Sequence, residues 1–258
     1  MSTILFNITE GVGVITLNRP EKMNAFIRDM ALAMQDALDK CAQDKSVRAV
    51  LITGAGKAFC AGQDLPEVMD PNGPGMNRIL SEHYNPIVAK IRDLEKPVVA
   101  AVNGVAAGAG ANLALCCDIT VAATSSSFIQ AFSKIGLIPD TGGTYFLPRL
   151  IGMQKASALM MLADKVSATE AEQMGMIYKA LPDEDFMGHA MAIAQQLATM
   201  PTRAMHYIKK ALQWSATHTL DEQLMNEDKL QQRAASTADF KEGVAAFIEK
   251  RKPVFKGE

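Results

Sequence analysis

The stretch KIGLIPDTGGTYFLP, Lys134 to Pro148, sets one carboxylate, Asp140, between a proline and a glycine pair in an almost uncharged run. A carboxylate placed there has two uses. It can cap a helix beginning near Gly142, because Asp ahead of a helix start accepts backbone N–H bonds. It can also sit in apolar surroundings, where desolvation raises its pKa and fits it for moving protons near neutral pH. From this segment alone the cap is the simpler reading. The rest of the chain reverses that preference.

Two further glycine-rich loops could carry chemistry. GAGKAFCAGQDL, residues 54 to 65, follows a strand-like run, and Gly54, Gly56 and Gly62 allow tight turns and close approach to a ligand. It is not a Walker A loop, because the spacing before Lys57 is wrong and no Ser or Thr follows. NGVAAGAGANLAL, residues 103 to 115, runs from a strand end into a helix start. Gly108-Ala109-Gly110 opens like a dinucleotide fingerprint, but Leu113 stands where the third glycine is required. What remains is a helix start with free N–H groups and no bulky side chain, suited to polarising a carbonyl oxygen. Each loop taken singly also reads as a plain tight turn.

The elements around these loops fall into two parts. As far as Ala123, strand-like and helix-like stretches alternate. ILFNI and GVITLN read as an opening strand pair, and Phe26, Met30, Met34, Ala37 and Cys41 mark one face of a helix. RAVLITG, PVVAAVNG and DITVAA read as strands, with helices over Met76 to Leu94 and within GAGANLALCCD. Alternation of this kind predicts a parallel sheet with right-handed crossovers. After Gly142 nearly everything reads as helix, ending in KEGVAAFIEKRKPVF, whose Val244, Phe247 and Ile248 need a surface to cover them.

Composition removes several classes of function. The 258 residues carry a net charge of −2, with 48% hydrophobic and 21% charged residues. That balance is ordinary for a globular protein and gives no field for nucleic acid or anionic membrane. No apolar run reaches the roughly 18 residues of a membrane span, and the N-terminus lacks the pattern of a secretory signal. Cys41, Cys60, Cys116 and Cys117 show no CxxC spacing and read as reduced core residues, which predicts a cytoplasmic protein. The 16 methionines fall mostly at helical spacing and read as core filling.

Taken together, five ordered segments resemble the enoyl-CoA hydratase/isomerase, or crotonase, family over nearly the whole chain. They are ITLNRPEKMNAF, GKAFCAGQDL, KPVVAAVNGVAAGAGANLALCCDI, FSKIGLIPDTGGTYFLPR and EGVAAFIEKRKPVF. The resemblance implies an α/β crotonase (ClpP-like) fold of repeated ββα units over residues 1–195. A helical trimerisation region would follow over 196–258, assembling homotrimers or hexamers. It further implies an acyl-CoA substrate whose thioester enolate is stabilised by the backbone N–H groups of Gln63 and Ala109. Losing one such donor typically costs roughly 3–4 kcal/mol of transition-state stabilisation. The family's CoA contacts fall on Lys22, Met23, Ala25, Ala61, Asp64 and Leu65, and on Phe247 and Lys250, the last two often reaching a neighbouring subunit. No metal, flavin or nicotinamide is implied, since the substrate carries coenzyme A itself.

The departures from the family pattern narrow the reaction. Where its hydratases place two glutamates, this chain has Asn112 and Phe132, neither of which transfers protons. Asp140 stands where several isomerase branches carry a single catalytic carboxylate. One acid/base suffices to take a proton from one carbon and return it to another, so the expectation is an isomerase. The wording of AFSKIGLIPDTGGTYFLPR is similar to the branch that converts the ring epoxide of a phenylacetate-derived CoA thioester to an oxepin. A general 3-enoyl-CoA isomerase or an enoyl-CoA hydratase of fatty-acid oxidation is the alternative.

His83, His189, His206 and His218 have no ligand spacing, and Cys60 has no base nearby in sequence. Asp118 is expected to secure loop backbone, and Phe128 to lie in the core. Tyr84 is left open between core and acyl pocket. An RNA-binding or structural role is the non-enzymatic alternative, but basic residues are dispersed and no nucleic-acid partner is expected. The insert VMDPNGPGMNR is expected to be mobile and to close over substrate.

Overall fold

A computed structural model describes residues 2–258. The hairpin β1 (Ile4–Thr9) and β2 (Val12–Leu17) opens the chain, followed by α1 (Arg28–Gln43). The spacing read from sequence holds for α1, which buries Met30, Met34, Ala37 and Cys41 on one face. Phe26 does not belong to that helix; it lies just before it, in an isolated bridge to Gln63.

Three ββα units come next. The first is β3 (Ala49–Gly54), β4 (Ala58–Cys60) and α2 (Leu65–Met69). An irregular helical stretch follows, from α3 (Gly75–Arg78) through a π-helical segment at Ile79–Tyr84 to α4 (Asn85–Asp93). The second unit is β5 (Val98–Val102), β6 (Val105–Ala107) and α5 (Ala109–Leu115). The third is β7 (Ile119–Ala123), β8 (Ser127–Ile129) and α6 (Gly143–Ile151). Then α7 (Met153–Leu162), β9 (Lys165–Ser167), α8 (Ala168–Gln173) and β10 (Lys179–Leu181) complete the strands. The chain ends in α9 (Phe186–Thr199), α10 (Thr202–Ser215), α11 (Leu220–Ala235) and α12 (Ala238–Glu249).

The long strands and the short β10 form one sheet in the order β1-β2-β3-β5-β7-β10, parallel except for β1. Its central strands read as unbroken apolar runs because both faces are buried. Val50, Ile52, Val98, Ala100 and Val102 point into the larger core, with α1 and α4. Ala49, Leu51, Val99 and Ala101 point the other way, onto Phe186, Ala190, Ala194 and Ala198 of α9. The alanines at four-residue spacing let α9 lie close against β3 and β5.

The second sheet, β4-β6-β8-β9, belongs to the ββα repeat that the resemblance implied, although the residue pattern did not locate its strands. Its strands are three residues each, too short to show a period of two, and β4 and β6 lie inside stretches read as loops. β4, β6 and β8 fix the geometry of the site, because each carries the chain from a strand of the first sheet toward the start of a helix.

Two helix starts in the C-terminal half carry full capping boxes, Ser167 with Glu170 and Thr219 with Glu222. All four cysteines are buried and unpaired, as expected, and Phe128 is buried. Tyr84 is buried too, packed against Phe26. Asp118 accepts the N–H of Val98 at 2.9 Å and pairs with Arg92 and Lys209, so it does secure backbone. The methionines depart from expectation. Met30, Met34 and Met176 are buried, but Met69, Met153 and Met161 are largely exposed, because their helices present one side to solvent. No helix among the described residues is long and apolar enough to cross a membrane.

Candidate active site

The first glycine loop is assembled from the segment ahead of α1. Asn24 is fully buried and left-handed at φ 55°, a conformation that Asn tolerates better than most residues. Its amide donates to the carbonyls of Ala55 and Ala58 at 2.9 and 2.8 Å, while its oxygen accepts the N–H of Arg19 at 2.8 Å. Three backbone bonds then stitch the segments together: Ala61 to Met23, Phe26 to Gly62 and Asp64 to Phe26. At Gly62 the chain turns with φ 95°, leaving the Gln63 N–H outside this ladder.

The second loop ends in Gly108, at φ 53°, and α5 starts at Ala109. Helix α5 lies hard against the first loop, since a Cβ on Gly110 would come within 2.3 Å of the Cys60 carbonyl oxygen. The two loops are thus locked side by side. Among the described residues, neither the Gln63 N–H nor the Ala109 N–H donates a hydrogen bond to the protein. Both open on one cavity of about 490 Å³, with apolar walls that include Leu65, Met69, Met76 and Phe132.

Among the described residues, Asp140 is the single ionisable side chain lining that cavity. The structure removes the helix-cap reading: α6 is capped at Gly142 with no side-chain bond, and it is the Asp140 carbonyl that accepts the N–H of Gly143. The carboxylate instead accepts one bond, from the Thr141 hydroxyl at 2.8 Å. Burial raises its pKa above the ordinary carboxylate range, partly opposed by the Thr141 bond. That combination suits a group that takes up a proton and gives it back.

The remaining candidate positions fall into three groups. Ala61 and Leu65 line the same cavity as Gln63, Ala109 and Asp140. Lys22, Met23 and Ala25 lie on the segment stitched to this loop, with Lys22 and Met23 exposed. Asp64 is buried and turns its carboxylate to Arg19 at 3.0 Å, so its charge is already matched. Phe247 and Lys250, by contrast, do not line the cavity within this chain; Phe247 is 86% exposed on α12 and Lys250 caps that helix. The insert near Met69 forms α2, α3 and the π-helical turn, and Met69, Met76 and Ile79 wall the cavity.

Sequence reasoning missed the residues that hold the site. Asn24 was passed over, although Asn in a segment with no helix or strand period signals a turn. Asn112 was read only as a missing glutamate. It is fully buried, donates to the Asp140 carbonyl at 2.8 Å and accepts from Gln130 at 2.8 Å. A larger cleft of about 960 Å³ lies between α6 and α10, but its one carboxylate, Asp118, is consumed by Arg92, Lys209 and the Val98 N–H. Chemistry, not size, selects the smaller cavity.

The family described as enoyl-CoA hydratase/isomerase matches residues 7–258. The 1,2-epoxyphenylacetyl-CoA isomerase of Escherichia coli K12 is 46% identical, with all of both chains covered. A protein of Rhodobacter capsulatus named as a probable enoyl-CoA hydratase is also 46% identical, over 99% of this chain and 98% of its own. The crystal structure of an enoyl-CoA hydratase from Bacillus anthracis superposes with a TM-score of 0.95 at 34% identity, covering 99% of this chain and 100% of that one.

Proposed function

The chain belongs to the enoyl-CoA hydratase/isomerase family, which acts on CoA thioesters, and we propose that it is an isomerase using Asp140 as its one acid/base. The observation that carries this reading is the cavity itself. It holds two unpaired backbone N–H groups and one desolvated carboxylate, with Phe132 in its wall and Asn112 turned away from it. The thioester carbonyl accepts from Gln63 and Ala109, which acidifies the α-carbon. Asp140 removes an α-proton, the electron pair moves onto the thioester oxygen, and the double bond shifts toward the carbonyl. Protonated Asp140 then returns the proton to the γ-carbon, turning a 3-enoyl-CoA into its 2-enoyl isomer. Water addition would need a second proton-transfer group to activate the water, and the cavity wall supplies none.

Isomerisation of a ring epoxide is a second reading, favoured by the full-length 46% identity to the E. coli isomerase. It uses the same enolate, formed at the acetyl side chain beside the ring. Turnover measured with a 3-enoyl-CoA and with the ring epoxide separates the two. In either case, hydration of crotonyl-CoA, followed by loss of its conjugated enoyl absorbance, is expected to fall far below a typical roughly 10 per second. Hydration at an ordinary enzymatic rate would overturn the isomerase reading.

We also propose that the helical region 196–258 assembles subunits. Leu212, Leu224, Met225, Phe247 and Ile248 are all exposed on α10, α11 and α12, an apolar surface that association would cover. Light scattering is expected to give a trimer or hexamer. A stable monomer with undiminished affinity for a CoA thioester would refute the role given to Phe247 and Lys250 in completing a neighbour's site.

A further inference from the structure

We propose that Asn112 is the positioning residue of this reaction, fixing the Asp140 carboxylate against the two oxyanion N–H groups by holding the main chain that bears it. The inference rests on the isomerase reading above.

Both polar ends of the Asn112 side chain are committed. Its amide donates to the Asp140 carbonyl, and its oxygen accepts from Gln130, which is itself buried. It does not line the cavity. The turn it grips is strained: Thr141 is β-branched, buried and left-handed at φ 54°, and Gly142 follows at φ 75°. Such a turn persists only where its surroundings over-determine it. Within the turn, the Asp140 carbonyl is bonded by Gly143, and the carboxylate is bonded only by Thr141. Asn112 supplies the grip from outside. Position 143 must be glycine for this to work, because a Cβ there would lie 2.2 Å from the Asn112 amide nitrogen.

The placement of Asn112 along the chain gives the contact its catalytic meaning. Ala109, an oxyanion donor, is the first residue of α5, and Asn112 lies one turn further along the same helix. One rigid turn therefore sets both the N–H that receives the developing charge and the backbone that carries the base. A displacement of about 1 Å between such groups costs roughly 10²-fold in rate. At the position where the family's hydratases present a glutamate to substrate, this chain has a side chain that orients its remaining carboxylate instead.

Asn112→Leu keeps the branching and removes both polar contacts. With a 3-enoyl-CoA, kcat is expected to fall about 10²-fold while KM stays near its wild-type value, the signature of an interaction lost mainly in the transition state. Amide hydrogen exchange at Gly143 is expected to quicken, because the turn loses its outside support. Gln130→Met, which leaves Asn112 in place but removes its anchor, is expected to lower kcat by a smaller factor with the same KM pattern. It carries the test if Asn112→Leu does not fold. Wild-type kcat in the folded Leu variant, or a loss expressed in KM alone, overturns the proposal, as does wild-type kcat in Gln130→Met when the Leu variant is unfolded. Asp140→Asn measured alongside tells the two failures apart. Full activity there removes the isomerase reading and this inference with it; an inactive Asp140→Asn beside a normal Asn112→Leu removes the positioning role alone.

Discussion

Asp140→Asn is expected to slow isomerisation of a 3-enoyl-CoA by 10²- to 10⁴-fold, roughly the contribution of general acid–base catalysis. The substitution preserves shape, and the asparagine oxygen can still accept the Thr141 hydroxyl. Only the proton carrier is lost. Exchange of the substrate's α-proton with deuterated solvent should slow in parallel, because it needs the same base. The pH profile has a defined sign. Burial holds the Asp140 pKa above the ordinary range, so wild-type activity should fall as pH drops through that raised value. The Asn variant's residual activity should lack this limb. Stability runs the other way. A carboxyl that ionises more readily unfolded than folded weakens the fold above its folded pKa, and that penalty fades as pH falls from the folded pKa toward the lower unfolded one. The melting temperature of the Asn variant at neutral pH should accordingly equal or exceed that of the wild type. Near-normal isomerisation and exchange would strip Asp140 of its catalytic role.

Gly62→Ala is expected to cost nearly as much by a different route. Gly62 has φ 95°, where an L side chain is strained, and an added Cβ would lie 3.0 Å from the Ala107 carbonyl oxygen and 3.4 Å from the Ala109 nitrogen. The loop must shift, carrying the Gln63 N–H away from its partner donor. Loss of one oxyanion donor corresponds to roughly 10²–10³ in kcat. The backbone strain should also lower stability by about 1–2 kcal/mol. Single-turnover kinetics together with a denaturant melt measure both effects. A folded Gly62→Ala with wild-type kcat would show that Gln63 does not supply a donor.

The parts of the fold that were legible were those with periodicity. The Met30–Met34 face of α1 and the apolar runs of β3 and β5 repeat a pattern that burial imposes. The second sheet was hidden because a strand such as Ala58–Cys60 is too short to show alternation. In the site, Gln63, Ala109 and Asp140 were reachable from glycine-rich stretches and the family resemblance, and the structure gathers all three in one cavity. The function of Asn112 was not legible. Its partner, the Asp140 carbonyl, lies 28 residues away, and no local propensity encodes a contact made by folding. Asp140 itself was ambiguous between cap and cavity until the left-handed turn at Thr141 and Gly142 separated its side chain from the helix end.

In the proposed mechanism both oxyanion donors are peptide groups, so the chemistry they provide is almost immune to mutation at their own positions. Any residue but proline at 63 or 109 still carries an N–H. Selection can therefore revise the side chains around the thioester one at a time, adding, moving or deleting a carboxylate, without dismantling the step that makes the enolate. On that proposal the electrophilic half of the site resides in the backbone and is inherited with the fold. The proton-handling half would reside in the Asp140 side chain, which a single substitution can move or delete while the backbone donors stay in place.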